Sequence, residues 1–66
     1  MSNLKKIITL YGVEAIATHL GVSKSSVEKY NARGYLKNIK QINKLAEKDS
    51  NFSVNDFVQD YKVSEW

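Results

Sequence analysis

The chain has 66 residues, no cysteine, one histidine and a formal net charge of +3. That length holds one small domain with a modest core, and the missing cysteines exclude disulfides and leave no thiolate for a zinc site. No apolar run reaches the length of a membrane span, and Ile7 to Leu10 after Lys5-Lys6 is too short for a signal peptide; a cytoplasmic location is expected.

The charge is unevenly placed. Residues 1–48 carry nine basic and three acidic side chains, whereas residues 49–66 carry Lys62 against four acids. A basic body with an acidic end suits a polyanion bound on one side, although lysines also keep small proteins soluble.

The first helix is predicted from a cap at Ser2 or Asn3 to Leu10 or Tyr11. Leu4, Ile7, Ile8 and Tyr11 recur at i, i+3, i+4 and i+7, one face of a helix. Gly12 suits a left-handed helix end. Val13 has no side-chain acceptor and is a poor cap for the next helix. That second helix is predicted over Glu14 to Leu20, with Ile16, Ala17 and Leu20 inward. Gly21 then supplies a tight turn at positive φ, Val22 fills the space under it, and Ser23 caps a third helix reaching about Ala32. Val27 and Tyr30 face inward on this third helix. The spacing of these two helices predicts a helix-turn-helix, with the small Ala17 at the crossing.

Arg33-Gly34 closes the third helix. A fourth is predicted from about Lys37 to Lys48, with Leu36, Ile39, Ile42, Leu45 and Ala46 inward and Lys37, Lys40, Lys44 and Lys48 opposite. That basic stripe reads as a solvated face or, at its first residues, as a contact to a DNA phosphate flank. After the polar connector Asp49 to Asn51, Ser53 and Asp56 form a capping box and Phe52 and Phe57 a hydrophobic staple. A fifth helix should run from Val54 to about Tyr61, with Val54, Phe57, Val58 and Tyr61 inward. The fold expected is all-α: a compact bundle of about five short helices over residues 1–61, followed by a tail at 62–66. Its core is expected to hold Leu4, Ile7, Ile8, Ile16, Ala17, Leu20, Val22, Val27, Ile39, Ile42, Leu45, Phe57 and Val58.

The run YGVEAIATHLGVSKSSV resembles the bacteriophage Cro repressors, in which an aromatic-Gly pair precedes an LGV-x-x-S-x-V/I centre; Tyr11, Gly12, Leu20, Gly21, Val22 and Val27 match. The spacing from Val27 to Arg33-Gly34 also resembles Cro-like and YdaS-type regulators with V-x-x-W-x-x-R-G-I-P. Here Tyr30 stands for the Trp, and Tyr35-Leu36 for the Ile-Pro. The resemblance covers about half the chain. It implies a lambda-repressor-like arrangement and a small DNA-binding regulator, commonly a dimer on a palindromic site.

On the third helix, Lys24, Ser25, Glu28, Lys29 and Ala32 recur as one stripe opposite Val27 and Tyr30. In a helix-turn-helix this stripe reaches base edges in the major groove. Lys24 and Lys29 can donate to guanine, Ser25 can pair with several bases, and Glu28 can accept from cytosine N4. Glu28 also lies one turn from Lys24, where an ion pair is available. Ser23, Ser26 and Arg33 are candidate phosphate contacts, helped by free amides at the helix starts. His19 is expected to be an exposed surface residue, with a phosphate contact as its alternative.

Asp56 and Asp60 read as a solvated acidic face. No nucleophile–base pair or phosphate-cradling glycine loop is present, so no enzyme activity and no cofactor, metal or small-molecule ligand is expected. The expected function is a sequence-specific transcriptional repressor that binds a double-stranded DNA operator through the major groove, as a homodimer at least on DNA. The competing expectation is a small helical protein-interaction module or antitoxin-like regulator. A dimer contact is expected from the last helix and tail, through Phe57, Tyr61, Val63 and Trp66, because aromatic residues are enriched in interface cores.

Overall fold

A computed structural model describes residues 2–64. Among them are five α-helices and no strand: α1 (Asn3–Tyr11), α2 (Val13–Leu20), α3 (Lys24–Arg33), α4 (Ile39–Ala46) and α5 (Val54–Ser64). The all-α bundle expected from the periodicity is the fold observed.

Local chemistry sets most boundaries. Ser2 Oγ accepts the Lys5 N–H at 3.1 Å and opens α1. Gly12 closes it by donating its N–H to the Ile8 carbonyl at 2.7 Å. Its backbone differs from the left-handed helix end expected: φ is +91° and ψ 154°, an extended mirror conformation open only to glycine. That geometry turns the chain straight into α2. The Gly12 carbonyl accepts the Ile16 N–H, so the helix starts at Val13, one residue early and without a side-chain cap. Gly21 takes the left-handed conformation at φ +71°, ψ 33°, and the Val22 N–H donates to the Ala17 carbonyl. A Cβ at Gly21 would meet nothing within 4 Å. Conformation, not crowding, favours glycine there.

The fourth helix departs most from expectation. It begins at Ile39 rather than Lys37, because Asn38 Oδ1 accepts the N–H groups of Lys40 and Gln41 at 2.9 and 3.3 Å. Leu36 still fills the core, from the connector instead of a helix face. Ile39, read as inward, is 54% exposed; it lies in the first turn, one turn before the buried Ile42. The helix ends at Ala46 in tight turns, Glu47 N–H to Lys44 and Lys48 N–H to Leu45. Lys48 therefore lies past the helix.

The α5 start matches its sequence signal. Asp56 N–H donates to Ser53 Oγ at 3.3 Å, and Ser53 N–H to Asp56 Oδ2 at 2.9 Å. Phe52 and Phe57 stack at 5.7 Å. The helix continues past Tyr61 to Ser64, so residues 62–64 extend it rather than starting the tail; no Gly or Pro interrupts them. Glu65 and Trp66, the remainder of the expected tail and dimer contact, lie outside the described residues.

Leu4, Ile7, Ile8, Ile16, Ala17, Leu20, Val27, Leu36, Ile42, Leu45 and Phe57 form one core. Val22 and Val58 are half-buried against it. Phe57 is fully buried, which removes it from any outer contact surface. Helix α2 packs against α1, α3 and α4, while α5 closes on α1 and α4. Helix α3 rests on α2 and α1 at the edge of the bundle.

Asp60 corrects the reading of a solvated acidic face. It is only 7% exposed. Its Oδ1 accepts the Asn3 N–H at 2.9 Å and the Asn3 Nδ2–H at 3.3 Å; its Oδ2 accepts the Leu4 N–H at 2.9 Å. Asn3 Nδ2 also donates to the Asp56 carbonyl at 3.0 Å. A carboxylate thus sits on the positive end of α1, satisfying donors that have no partner within the helix.

Candidate nucleic-acid interface

Helix α3 is amphipathic in the simplest sense. Val27 is fully buried, Tyr30 is half-buried, and Lys24, Ser25, Glu28, Lys29 and Ala32 are all exposed. The five residues predicted as one stripe therefore do share an outer face. At its start, Ser23 Oγ accepts the Ser26 N–H at 3.2 Å. The same oxygen lies 3.1 Å from Ser25 Oγ and 3.0 Å from Ser26 Oγ. The N–H groups of Lys24 and Ser25 meet no acceptor among the described residues. They leave two outward donors at the positive helix end. Ser26 is half-buried, its hydroxyl turned back to Ser23.

At the other end, the Arg33 guanidinium lies 4.6 Å from the Tyr35 ring centre and 5.4 Å from that of Tyr30. Its Nε–H donates to the Tyr35 carbonyl at 3.0 Å. Tyr35 meets Tyr61 edge to face at 5.3 Å, and Lys37 Nζ lies 6.0 Å from the Tyr61 ring. Gln41 Nε2–H donates to the Tyr30 hydroxyl at 3.3 Å. Neither Tyr30, read only as an inward residue, nor Tyr35 was expected at the interface, and Tyr61 was expected only at a dimer contact. The available signal was the tyrosine three residues before Arg33 and the second two residues after it.

His19 departs from the exposed reading. It is half-buried, and its Nε2 meets the Lys44 carbonyl at 2.6 Å. A carbonyl only accepts, so that nitrogen carries the proton. The contact ties α2 to the end of α4. Lys37, Lys40 and Lys44 are exposed. Lys48 instead is half-buried, its ammonium 5.0 Å from the Tyr11 ring. It thus leaves the α4 stripe to which it was assigned.

Three aspartates are engaged within the fold. Asp60 and Asp56 serve helix starts. Asp49 Oδ2 accepts the Tyr11 hydroxyl at 2.8 Å, and Asp49 Oδ1 the Asn51 N–H at 2.9 Å. The Asn51 backbone bond, then the Tyr11 bond, hold the Asp49 carboxyl below its usual 3.8. The bond to Asp49, with burial and the Asp49 charge adding to it, lifts the Tyr11 hydroxyl above 10.0. The field outside α3 is therefore set by exposed Lys24, Lys29 and Arg33 against Glu28 alone on that helix.

Among the described residues no group of three His, Asp or Glu side chains is placed to hold a metal, and no helix is long and apolar enough to cross a membrane. No protein-family model, no curated protein and no solved structure matches the chain.

Proposed function

We propose that this chain is a sequence-specific DNA-binding repressor in which α3 enters the major groove. The observation that carries the reading is the α3 stripe: Lys24, Ser25, Glu28 and Lys29 are all exposed on the outer face of a helix whose inner face is anchored by Val27. Their donors and acceptors suit guanine and cytosine edges. The free amides of Lys24 and Ser25, the hydroxyl of Ser23, and the side chains of Arg33 and Lys37 supply phosphate contacts that fix orientation without reading sequence, whereas the Ser26 hydroxyl is turned back to Ser23. His19, turned to the Lys44 carbonyl, is left out of that set.

A single helix reads few base pairs. Two copies on a palindromic operator place their recognition helices about 34–36 Å apart. One copy is 29 Å in its longest dimension, so neighbouring copies can touch across the two-fold axis without an added arm. Repression then follows from covering a promoter, with no cofactor.

Selection of bound sequences from a random duplex pool tests the proposal. The expected result is a palindromic consensus, with affinity falling steeply as salt rises because phosphate contacts release counterions. A second reading, an antitoxin-like module that binds a protein, draws on Leu10 and Ile39, which are 65% and 54% exposed. Enrichment of no sequence, with weak salt-independent DNA binding, would favour it.

A further inference from the structure

We infer that Tyr35, with Tyr30, positions Arg33 as a fixed fork for one phosphodiester at the C-terminal end of α3. The inference rests on the DNA-binding reading above and adds a role for two residues outside the base-reading stripe.

An exposed arginine ordinarily samples many rotamers, and freezing it on binding costs conformational entropy. Three contacts restrain Arg33 in the unbound protein. Its Nε–H is held by the Tyr35 carbonyl at 3.0 Å. Its guanidinium lies 4.6 Å from the Tyr35 ring centre, well within cation–π range, and 5.4 Å from that of Tyr30. Tyr35 is itself held, edge to face at 5.3 Å, by Tyr61 of α5. The restraint therefore runs from the bundle through Tyr61 and Tyr35 to the guanidinium.

The restraint leaves the working edge open. Guanidinium has five N–H donors in a planar fork. One is used internally, and the four on the terminal nitrogens meet no acceptor among the described residues. Two parallel terminal donors match two oxygens of a phosphate, a fit that lysine cannot reproduce. Lys37 provides the contrast on the same flank. Its ammonium is 6.0 Å from the Tyr61 ring, the outer limit of such a contact. It acts as a loosely held point charge.

The test measures affinity of the full chain for a mixed-sequence duplex over a series of salt concentrations. Arg33→Ala should weaken binding and lower the salt slope by about one. Arg33→Lys keeps the charge, yet should still bind about two- to fivefold more weakly, because fork and stacking are gone. Tyr35→Leu should match the Arg33→Lys loss and add nothing on the Arg33→Ala background. Tyr35→Phe keeps the ring and should bind like the parent. In proton NMR of the free protein, Tyr35→Leu should sharply reduce the ring-current shift of the Arg33 side chain, leaving only the smaller share from Tyr30, with the helical signal unchanged. The inference is overturned if the parent binds duplex but Arg33→Lys binds equally well. It is also overturned if the Tyr35→Leu and Arg33→Ala losses multiply. A folded parent that binds no duplex overturns the DNA-binding reading as well.

Discussion

Helices α1 and α3 start in the same way and end up in opposite situations. Each opens on a serine whose hydroxyl accepts the N–H three residues later, Ser2 from Lys5 and Ser23 from Ser26. At α1 the next two amides, Asn3 and Leu4, are taken by the buried Asp60. At α3 the equivalent amides, Lys24 and Ser25, face outward with no acceptor among the described residues. One positive helix end is consumed by folding and the other is left without a protein acceptor among the described residues. The lesson is that a cap signature in sequence identifies a helix start but not its use. Use depends on what the rest of the chain brings against it.

The largest test of that contrast is Asp60→Ala. It strands two backbone amides and an Asn3 side-chain donor in a mostly buried site. It should cost about 2–4 kcal/mol, read as a fall of at least roughly 10 °C in Tm for a domain of this size. A parental Tm would mean that the α1 end is no more committed than the α3 end. On the open side, Lys24→Ala and Lys29→Ala should leave Tm unchanged. Each should reduce discrimination between the selected operator and mixed DNA by about 1–3 kcal/mol. Unchanged operator preference in both would remove the stripe from base reading.

The two serine caps sharpen the comparison further. Ser23→Ala should cost about 1 kcal/mol by urea unfolding, since among the described residues no other side chain accepts an N–H of that first turn. Ser2→Ala should cost less, because Asp60 still holds the two amides beside it. Equal losses would show that the carboxylate adds little to α1.

The smallest effect expected is at Tyr11 and Asp49. The Tyr11 hydroxyl titrates higher in the folded chain than in the unfolded one. Its contribution is complete below about pH 10 and fades as pH rises through the raised value. Asp49 works in the opposite direction: its contribution holds above about pH 4 and fades as pH falls through the lowered value. Tyr11→Phe should flatten the alkaline limb of Tm against pH. An alkaline limb identical to the parent's would show that the hydroxyl bond is not kept in solution.

Much of this architecture was legible because its signals are local. Ser2, Ser23 and the Ser53–Asp56 pair each act within one helical turn, and the apolar faces of α1, α2 and α5 repeat at helical spacing. The outer stripe of α3 was legible for the same reason. Asp60 was not, because its partners Asn3 and Leu4 lie at the other end of the chain and nothing near Asp60 marks it as buried. The start of α4 was missed because the apolar spacing of Leu36 and Ile39 fits a helix, while the Asn38 cap sets the start later and leaves Leu36 in the connector. The setting of Arg33 depends on the path of residues 34–38, which brings Tyr35 back over the guanidinium. His19 is drawn inward by a carbonyl of α4, and a main-chain acceptor leaves no mark in the residue types.

The bonds between Asn3 and Asp60 join residues 57 positions apart, and that separation bears on the order of folding. Contacts across so long a loop carry a large closure entropy and form slowly compared with a helical turn. The α2–α3 pair can assemble from neighbouring residues, whereas α1 cannot be locked until α5 has formed and docked. The unfolding step of lowest cost should therefore be release of α5 from α1. Hydrogen exchange should find the amides of Asn3 and Leu4 opening together with α5.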